Sequence, residues 1–126
     1  NDVYKPADEL IKKLVDVVSK GGNYLLNIGP GPNGELDPVS YQRLHDIGKW
    51  MKINGEAIYN TRMFTVYGEG EDIRFTRSKD GKTRYIFLFD FPLIQVTLNK
   101  IPFMKDDRVQ LFGNKRRINW KQTADG

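Results

Sequence analysis

A short apolar run between glycines constrains the fold of this chain more than any other feature. The run occupies residues 24–28 (YLLNI), with Gly22 before it and Gly29 after it. Apolar and polar residues hardly alternate along it, which is typical of a strand covered on both faces in a parallel sheet. Because helical patterns flank the run on both sides, we expect one strand of an α/β fold here.

The flanking helices carry their own start and stop signals. An apolar stripe at helical spacing extends over residues 10–18, and Gly21 or Gly22 can take the left-handed conformation that ends a helix. After the expected strand, Asp37 is suited to cap a second helix whose first residue is Pro38. These signals predict the order helix, strand, helix.

From residue 63 onward the pattern changes to short segments rich in β-branched and aromatic residues. Turn residues separate these segments, and Asp80-Gly81 is a strong hairpin signal between two of them. Five strands are expected, at residues 64–67, 73–77, 85–89, 94–98 and 109–112. Regular short strands of this kind indicate an antiparallel sandwich or barrel. The chain therefore divides at residues 59–62 into an α/β part and an all-β part.

Asn27 is the candidate binding residue. It lies at the C-terminal end of the expected strand, which is where open α/β sheets and βα-barrels place their ligands. Asparagine also caps turns through its own side chain. Two roles therefore stay open for Asn27: a contribution to a ligand site, or a hydrogen bond that holds the following loop.

Composition argues against several kinds of partner and cofactor. The chain has no cysteine and one histidine, so we expect no metal site and no cofactor. The glycine-rich loop at residues 29–34 lacks the ending of a P-loop, so a phosphate cradle is not expected. Part of the net charge of +4 comes from residues 115–117, which a solvated hairpin edge explains better than a nucleic-acid interface. No apolar run approaches the ~20 residues that cross a membrane.

The two parts of the chain do not make a complete fold by themselves. One buried strand and two amphipathic helices cannot satisfy their own backbone hydrogen bonds and apolar faces. The β part also ends in turn chemistry at residues 123–126. We therefore expect the chain to be the middle-to-late portion of a larger protein.

Several runs, which together make up nearly half of the chain, carry a resemblance to known enzymes. They are residues 7–11 (ADELI), 14–30 (LVDVVSKGGNYLLNIGP), 43–44 (RL), 47–50 (IGKW) and 54–59 (NGEAIY). In these runs the chain resembles the α-L-fucosidases of glycoside hydrolase family 29. Residues 74–76 (RFT) also fit the start of the C-terminal β region of that family.

The resemblance implies an architecture for each part. Residues 1–60 become the C-terminal end of a catalytic (β/α)8-like barrel, with residues 24–28 as its last strand. Residues 61–126 become the N-terminal part of a C-terminal β-sandwich. The remainder of the barrel, in cis or as a nicked piece, is then an expected partner.

The resemblance also implies retaining hydrolysis of terminal α-L-fucosyl linkages of glycans by two carboxylates. In the family the nucleophile is an aspartate and the acid/base is generally a glutamate, both upstream of this stretch. No position here matches either motif, so we assign no catalytic residue and expect the chain alone to be inactive. Asn27 is the one expected substrate contact, and the family is commonly periplasmic, extracellular or lysosomal.

A non-catalytic carbohydrate-binding or structural β-sandwich module is the alternative. Its sugar-stacking aromatics would be Tyr67, Phe103, Phe112 and Trp120. Core packing is the expected role for most of them. A catalytically inactive homologue is a third reading, since the residues that carry catalysis lie upstream.

Overall fold

A computed structural model describes residues 3–92, 94–115 and 118–124. Two helices come first, and a three-stranded antiparallel sheet follows in the order β1-β2-β3. The elements are α1 (Ala7–Ser19), α2 (Pro38–Asn54), a single 3-10 turn (Gly55–Ala57), β1 (Thr61–Glu69), β2 (Ile73–Ser78) and β3 (Arg84–Leu88). Within the described ranges, no helix is long and apolar enough to span a membrane.

The end of α1 and the start of α2 lie at the residues that their local signals indicate. The backbone of Gly21 has a φ of +79°, and its N–H donates to the carbonyl of Val18 at 3.0 Å. This left-handed conformation ends α1. Glycine suits the position because a residue with a Cβ is strained there. At the start of α2, Asp37 Oδ1 accepts a hydrogen bond from the N–H of Ser40 at 2.9 Å. The predicted N-cap is therefore confirmed.

The three strands correspond to the first three that the sequence predicts. The hairpin between β2 and β3 is confirmed, with Arg77 opposite Arg84 at its closed end. Strand β1 pairs with β2 in two registers, which shift between Met63 and Gly68. At Gly68 a Cβ would lie 2.0 Å from the carbonyl oxygen of Ile73, so only glycine lets the two backbones approach this closely.

The core includes both faces of β2, because three consecutive residues of that strand, 74–76, are buried. Phe75, in the middle of β2, is 0% exposed, and Phe64 on β1 contacts it edge-on with ring centroids 5.9 Å apart. Val15 on α1 and Ala57 in the 3-10 turn are also buried. The face of β2 opposite Phe75 packs on the helical part of the chain, with a hydrogen bond to the carbonyl of Ala57.

The strand predicted at residues 24–28 is not a strand in the structure. Leu25 is 83% exposed, whereas Tyr24, Leu26 and Ile28 are half-buried. A strand needs a neighbour for its backbone N–H and C=O groups, and none of the described strands lies beside this segment. The segment instead connects the two helices without regular secondary structure, and its odd-numbered side chains are exposed to solvent.

The strands predicted at residues 94–98 and 109–112 are also wrong, apart from an isolated bridge residue at Gln110. Side chains, rather than a ladder, hold much of this region. Glu69 accepts hydrogen bonds from the N–H groups of Asn99 and Lys100, and Arg84 bonds Pro102 and Asp107. The basic run that begins at Lys115 continues at two arginines, 116 and 117, that lie outside the described residues.

Candidate functional site

A cavity of about 350 Å³ lies at the C-terminal end of the segment at residues 24–28. Residues 26–29 form one wall, the starts of α1 and α2 form the floor, and residues 3–5 close the side. Its lining residues are Val3, Tyr4, Lys5, Leu10, Leu26, Asn27, Ile28, Gly29, Ser40, Arg43 and Leu44. The volume falls within the usual range for small-molecule sites, and an apolar lining with a few polar groups is typical of them.

Two hydrogen bonds fasten residues 3–5 to α2 and so hold the side of the cavity. The hydroxyl of Tyr4 donates to Asp37 Oδ2 at 2.5 Å, and Arg43 Nε donates to the carbonyl of Lys5 at 2.9 Å. The Tyr4 hydroxyl and the backbone N–H of Ser40 both stabilise the carboxylate of Asp37, so its pKa lies below the usual value. Asp37 is therefore charged at neutral pH and serves as cap and anchor.

Asn27 is exposed and lines the cavity. The hydrogen bond that holds the following loop comes from a different asparagine. Asn33 Oδ1 accepts from the N–H of Glu35 at 3.3 Å, and Asn33 Nδ2 donates to Glu35 Oε2 at 3.0 Å. Asn33 therefore holds the end of this loop, and both roles that the sequence leaves open for Asn27 stay predictions.

The glycine-rich loop closes on itself. The N–H of Gly31 donates to the carbonyl of Glu35 at 2.8 Å, and the N–H of Gly34 donates to the carbonyl of Gly31 at 2.9 Å. A phosphate cradle needs several backbone N–H groups pointing at the ligand. These two N–H groups are already bonded within the loop, which argues against a phosphate site there.

The chemistry available in the cavity is that of binding. Asn27 offers an amide that both donates and accepts, and the Nη groups of Arg43 offer further donors to ligand oxygens. No carboxylate lines the cavity in the described part of the chain. Nor do the described residues include a group of three or more histidine, cysteine, aspartate or glutamate residues placed to hold a metal ion.

Sequence reasoning placed Asn27 here and missed Tyr4 and Arg43. Arg43 belongs to a short run of the family resemblance, but nothing local to it indicates that it contacts the carbonyl of a residue 38 positions earlier. Tyr4 precedes the first helical pattern and carries no motif at all. As a helix cap, Asp37 indicates where α2 begins. It does not indicate that the hydroxyl of Tyr4 donates a hydrogen bond to it.

A second cavity, of about 460 Å³, lies where the end of α1 meets β1. Its polar side chains are those of Lys20, Thr65, Tyr67 and Lys100. The ammonium of Lys20 already pairs with Asp16 at 2.9 Å and lies 4.9 Å from the centre of the Tyr67 ring, so protein groups already satisfy part of its charge.

Comparison with known proteins identifies the family. The sequence model described as alpha-L-fucosidase matches residues 1–56. Tissue alpha-L-fucosidase of Rattus norvegicus is 34% identical over 116 residues, which cover 91% of this chain and 25% of that protein. Plasma alpha-L-fucosidase of Homo sapiens is 34% identical over 121 residues, covering 93% of this chain and 26% of that protein. The chain thus spans about a quarter of the length of the curated relatives it matches.

Solved structures agree with the sequence comparison. An alpha-fucosidase of Thermotoga maritima superposes on 99% of this chain and 30% of its own, with a TM-score of 0.79 and 27% identity. A GH29 alpha-L-fucosidase of Bacteroides thetaiotaomicron, trapped as a covalent intermediate, covers 64% of this chain and 18% of its own, with a TM-score of 0.58 and 31% identity. In both sequence and backbone, the chain belongs to the α-L-fucosidase family.

Proposed function

We propose that this chain is part of a retaining, exo-acting α-L-fucosidase that hydrolyses terminal α-L-fucosyl linkages of glycans. The superposition of nearly the whole chain on the Thermotoga maritima enzyme carries the proposal. The covalent intermediate named for the Bacteroides thetaiotaomicron relative supports the retaining course. In such a reaction one carboxylate attacks the anomeric carbon, and a second protonates the leaving oxygen and later activates water.

The domain organisation is part of the same proposal. Residues 1–60 form the last helix, strand and helix of the catalytic barrel, and residues 61–126 form the first part of a C-terminal β-sandwich. The open face of residues 23–27 supports this assignment, because Leu25 has the exposure expected of a strand whose neighbours are elsewhere. The start of β1 at Thr61 supports the boundary.

The full-length protein is the right material for testing the activity. We expect it to hydrolyse an aryl α-L-fucoside and to release L-fucose first as the α-anomer, because two inversions restore the starting configuration. Proton NMR of the anomeric signals during early turnover distinguishes the two outcomes. Release of the β-anomer would refute the retaining course, and absence of hydrolysis would refute the fucosidase assignment.

Asn27 is proposed to contact the substrate at the rim of the pocket. Asn27→Ala in the full-length protein is expected to lower kcat/KM by about two- to tenfold, the value of one neutral hydrogen bond. Asn23→Ala is the matched control, because Asn23 is exposed on the same face of the segment four residues earlier and lies at the opposite end. Steady-state kinetics on the aryl fucoside provide the measurement. Unchanged kcat/KM in Asn27→Ala, or an equal loss in Asn23→Ala, would remove Asn27 from the site.

The alternative, a non-catalytic carbohydrate-binding module, has less support. Several of its candidate aromatics already contact other rings of the protein. The ring centres of Phe103 and Trp120 lie 5.1 Å apart, and those of Phe112 and Tyr85 lie 6.1 Å apart. The indole N–H of Trp120 donates to the carbonyl of Asp107 at 3.1 Å. Rings with such neighbours offer less free face for stacking on a sugar.

A further inference from the structure

Arg74 is a charged residue at the centre of the interface between the sheet and α1. It lies on β2 and is only 8% exposed. Its Nε donates to Asp16 Oδ1 on α1 at 2.9 Å, across 58 positions of sequence. A buried cation is costly unless it is paired and its donors are satisfied. The position of Asp16 therefore bears directly on whether the sheet can bury Arg74.

The sheet holds the guanidinium from its own side. Arg74 Nη1 donates to the carbonyls of Gly70 at 3.0 Å and Ile73 at 2.9 Å. The guanidinium carbon lies 5.3 Å from the ring centres of both Tyr67 and Phe89. These contacts hold the guanidinium with its Nε toward the helix, so the geometry is preorganised to receive one carboxylate.

Asp16 is matched to this role. Burial alone raises the pKa of its carboxyl, but hydrogen bonds and charges from Lys20 and Arg74 outweigh burial and hold the pKa below its usual value. Asp16 is therefore ionised at neutral pH. Its neighbours Val15 and Ser19 on α1 are buried, so the helix approaches the sheet closely on both sides of the ion pair.

Further contacts join the sheet to the C-terminal end of the helical part. Thr76, two residues after Arg74 on the same strand, donates from Oγ1 to the carbonyl of Ala57 at 2.8 Å. On β3, the hydroxyl of Tyr85 donates to Glu56 Oε1 at 2.9 Å. The ring of Phe87 stacks on that of Trp50 of α2, with the ring centres 6.3 Å apart. The sheet thus contacts both helices through polar and aromatic groups.

We infer that the three-stranded sheet is a brace for the helical part of the chain, and that the Arg74–Asp16 pair locks α1 to it. The sheet and α1 then open together in one cooperative step, unlike an independently folding module attached by a linker. The inference concerns how the chain holds together and does not depend on the proposed fucosidase activity. Its test therefore uses hydrogen exchange rather than turnover.

The test compares amide exchange in the full-length protein and in variants of the lock. In the wild type, we expect peptides from Ala7–Ser19 and from Ile73–Ser78 to share one opening rate. In Arg74→Met, which keeps the apolar stem, exchange in both peptides is expected to be faster by about tenfold. Arg74→Lys, which keeps the charge without the planar fork, should give an intermediate rate.

Arg77→Met is the matched control. Arg77 lies on the same strand, and its guanidinium donates to the carbonyls of Met63, Ser78 and Lys79, all within the sheet and its turn. Exchange of the α1 peptide should therefore stay within about twofold of wild type in this variant. If Arg77→Met and Arg74→Met accelerate α1 equally, the lock is refuted.

A second variant keeps the test decisive if Arg74→Met does not fold. Asp16→Asn changes one atom of the pair on the helix side, and it should accelerate exchange in α1 and in β2 alike. The double variant should exchange no faster than Asp16→Asn alone, because that change already breaks the contact with Arg74. Multiplying accelerations, or acceleration of the sheet alone with α1 unchanged, would overturn the inference.

Discussion

The 126-residue chain by itself is expected to release no detectable fucose from an aryl α-L-fucoside. Two carboxylates about 5 Å apart are needed for retaining hydrolysis. No carboxylate lines the cavity at Asn27 within the described ranges, and the anchoring carboxylate nearest to it, Asp37, already accepts three hydrogen bonds from Tyr4 and Ser40. Saturated in this way, Asp37 is a poor nucleophile.

The same chain is expected to associate in solution. Leu25, within the segment at residues 22–30, is 83% exposed, and Val3, which lines the cavity with that segment, is 94% exposed. Apolar surface of this kind, next to unpaired backbone groups, favours self-association. Size-exclusion chromatography with light scattering provides the measurement, with the full-length protein as the reference.

Two results would contradict these predictions, the first for the absence of activity and the second for the association. The first is turnover by the isolated chain that co-elutes with it through two chromatographic steps. The second is a monomeric chain that unfolds in one sharp transition, since that would mean that residues 22–30 need no neighbouring strand. The second result would also remove the main support for placing this segment in a barrel.

The parts of the fold that the sequence predicts are those that depend on neighbours in sequence. Asp37 bonds the N–H three residues ahead, Gly21 closes the helix that precedes it, and the turn at Asp80-Gly81 joins two adjacent strands. Each of these interactions is completed within a few residues. A pattern in one short stretch is therefore enough to indicate it.

The errors occur where the outcome depends on groups far away in sequence or outside the described chain. The apolar composition of residues 24–28 is that of a strand, but pairing needs strands that the described residues do not supply. Residues 99–107 take their partners from Glu69 and Arg84, which lie on the sheet some 20 to 30 positions earlier. No local pattern reports such contacts.

The candidate site shows the same limit. Asn27 was found because the end of a strand is a general place for ligands in α/β folds. Tyr4 and Arg43 reach the same cavity through contacts 33 and 38 positions apart in sequence. Arg74 and Asp16 both lie in runs of the family resemblance, but nothing in the sequence indicates that they pair across 58 positions. Three-dimensional structure was needed to bring each pair together.

Phe75→Ala in the full-length protein is expected to lower the free energy of unfolding by about 3–5 kcal/mol. The side chain is fully buried, and its loss removes both its transfer free energy and its contact with the ring of Phe64, and leaves a cavity in the core of the sheet. Phe75 lies next to both residues that tie β2 to the helical part, Arg74 and Thr76. Because side chains alternate along a strand, Phe75 lies on the opposite face of β2 from these two residues, and its loss weakens the strand that carries them.

Urea denaturation followed by intrinsic fluorescence measures the change, and an unchanged m-value shows that the same unit unfolds. Phe75→Leu is the graded control, because it keeps most of the buried volume and is expected to cost less than about 1.5 kcal/mol. Phe64→Ala combined with Phe75→Ala should cost less than the sum of the two single changes, since the rings contact each other. A loss below about 1 kcal/mol in Phe75→Ala would mean that the site collapses freely, which is incompatible with a tightly packed core at the middle of β2.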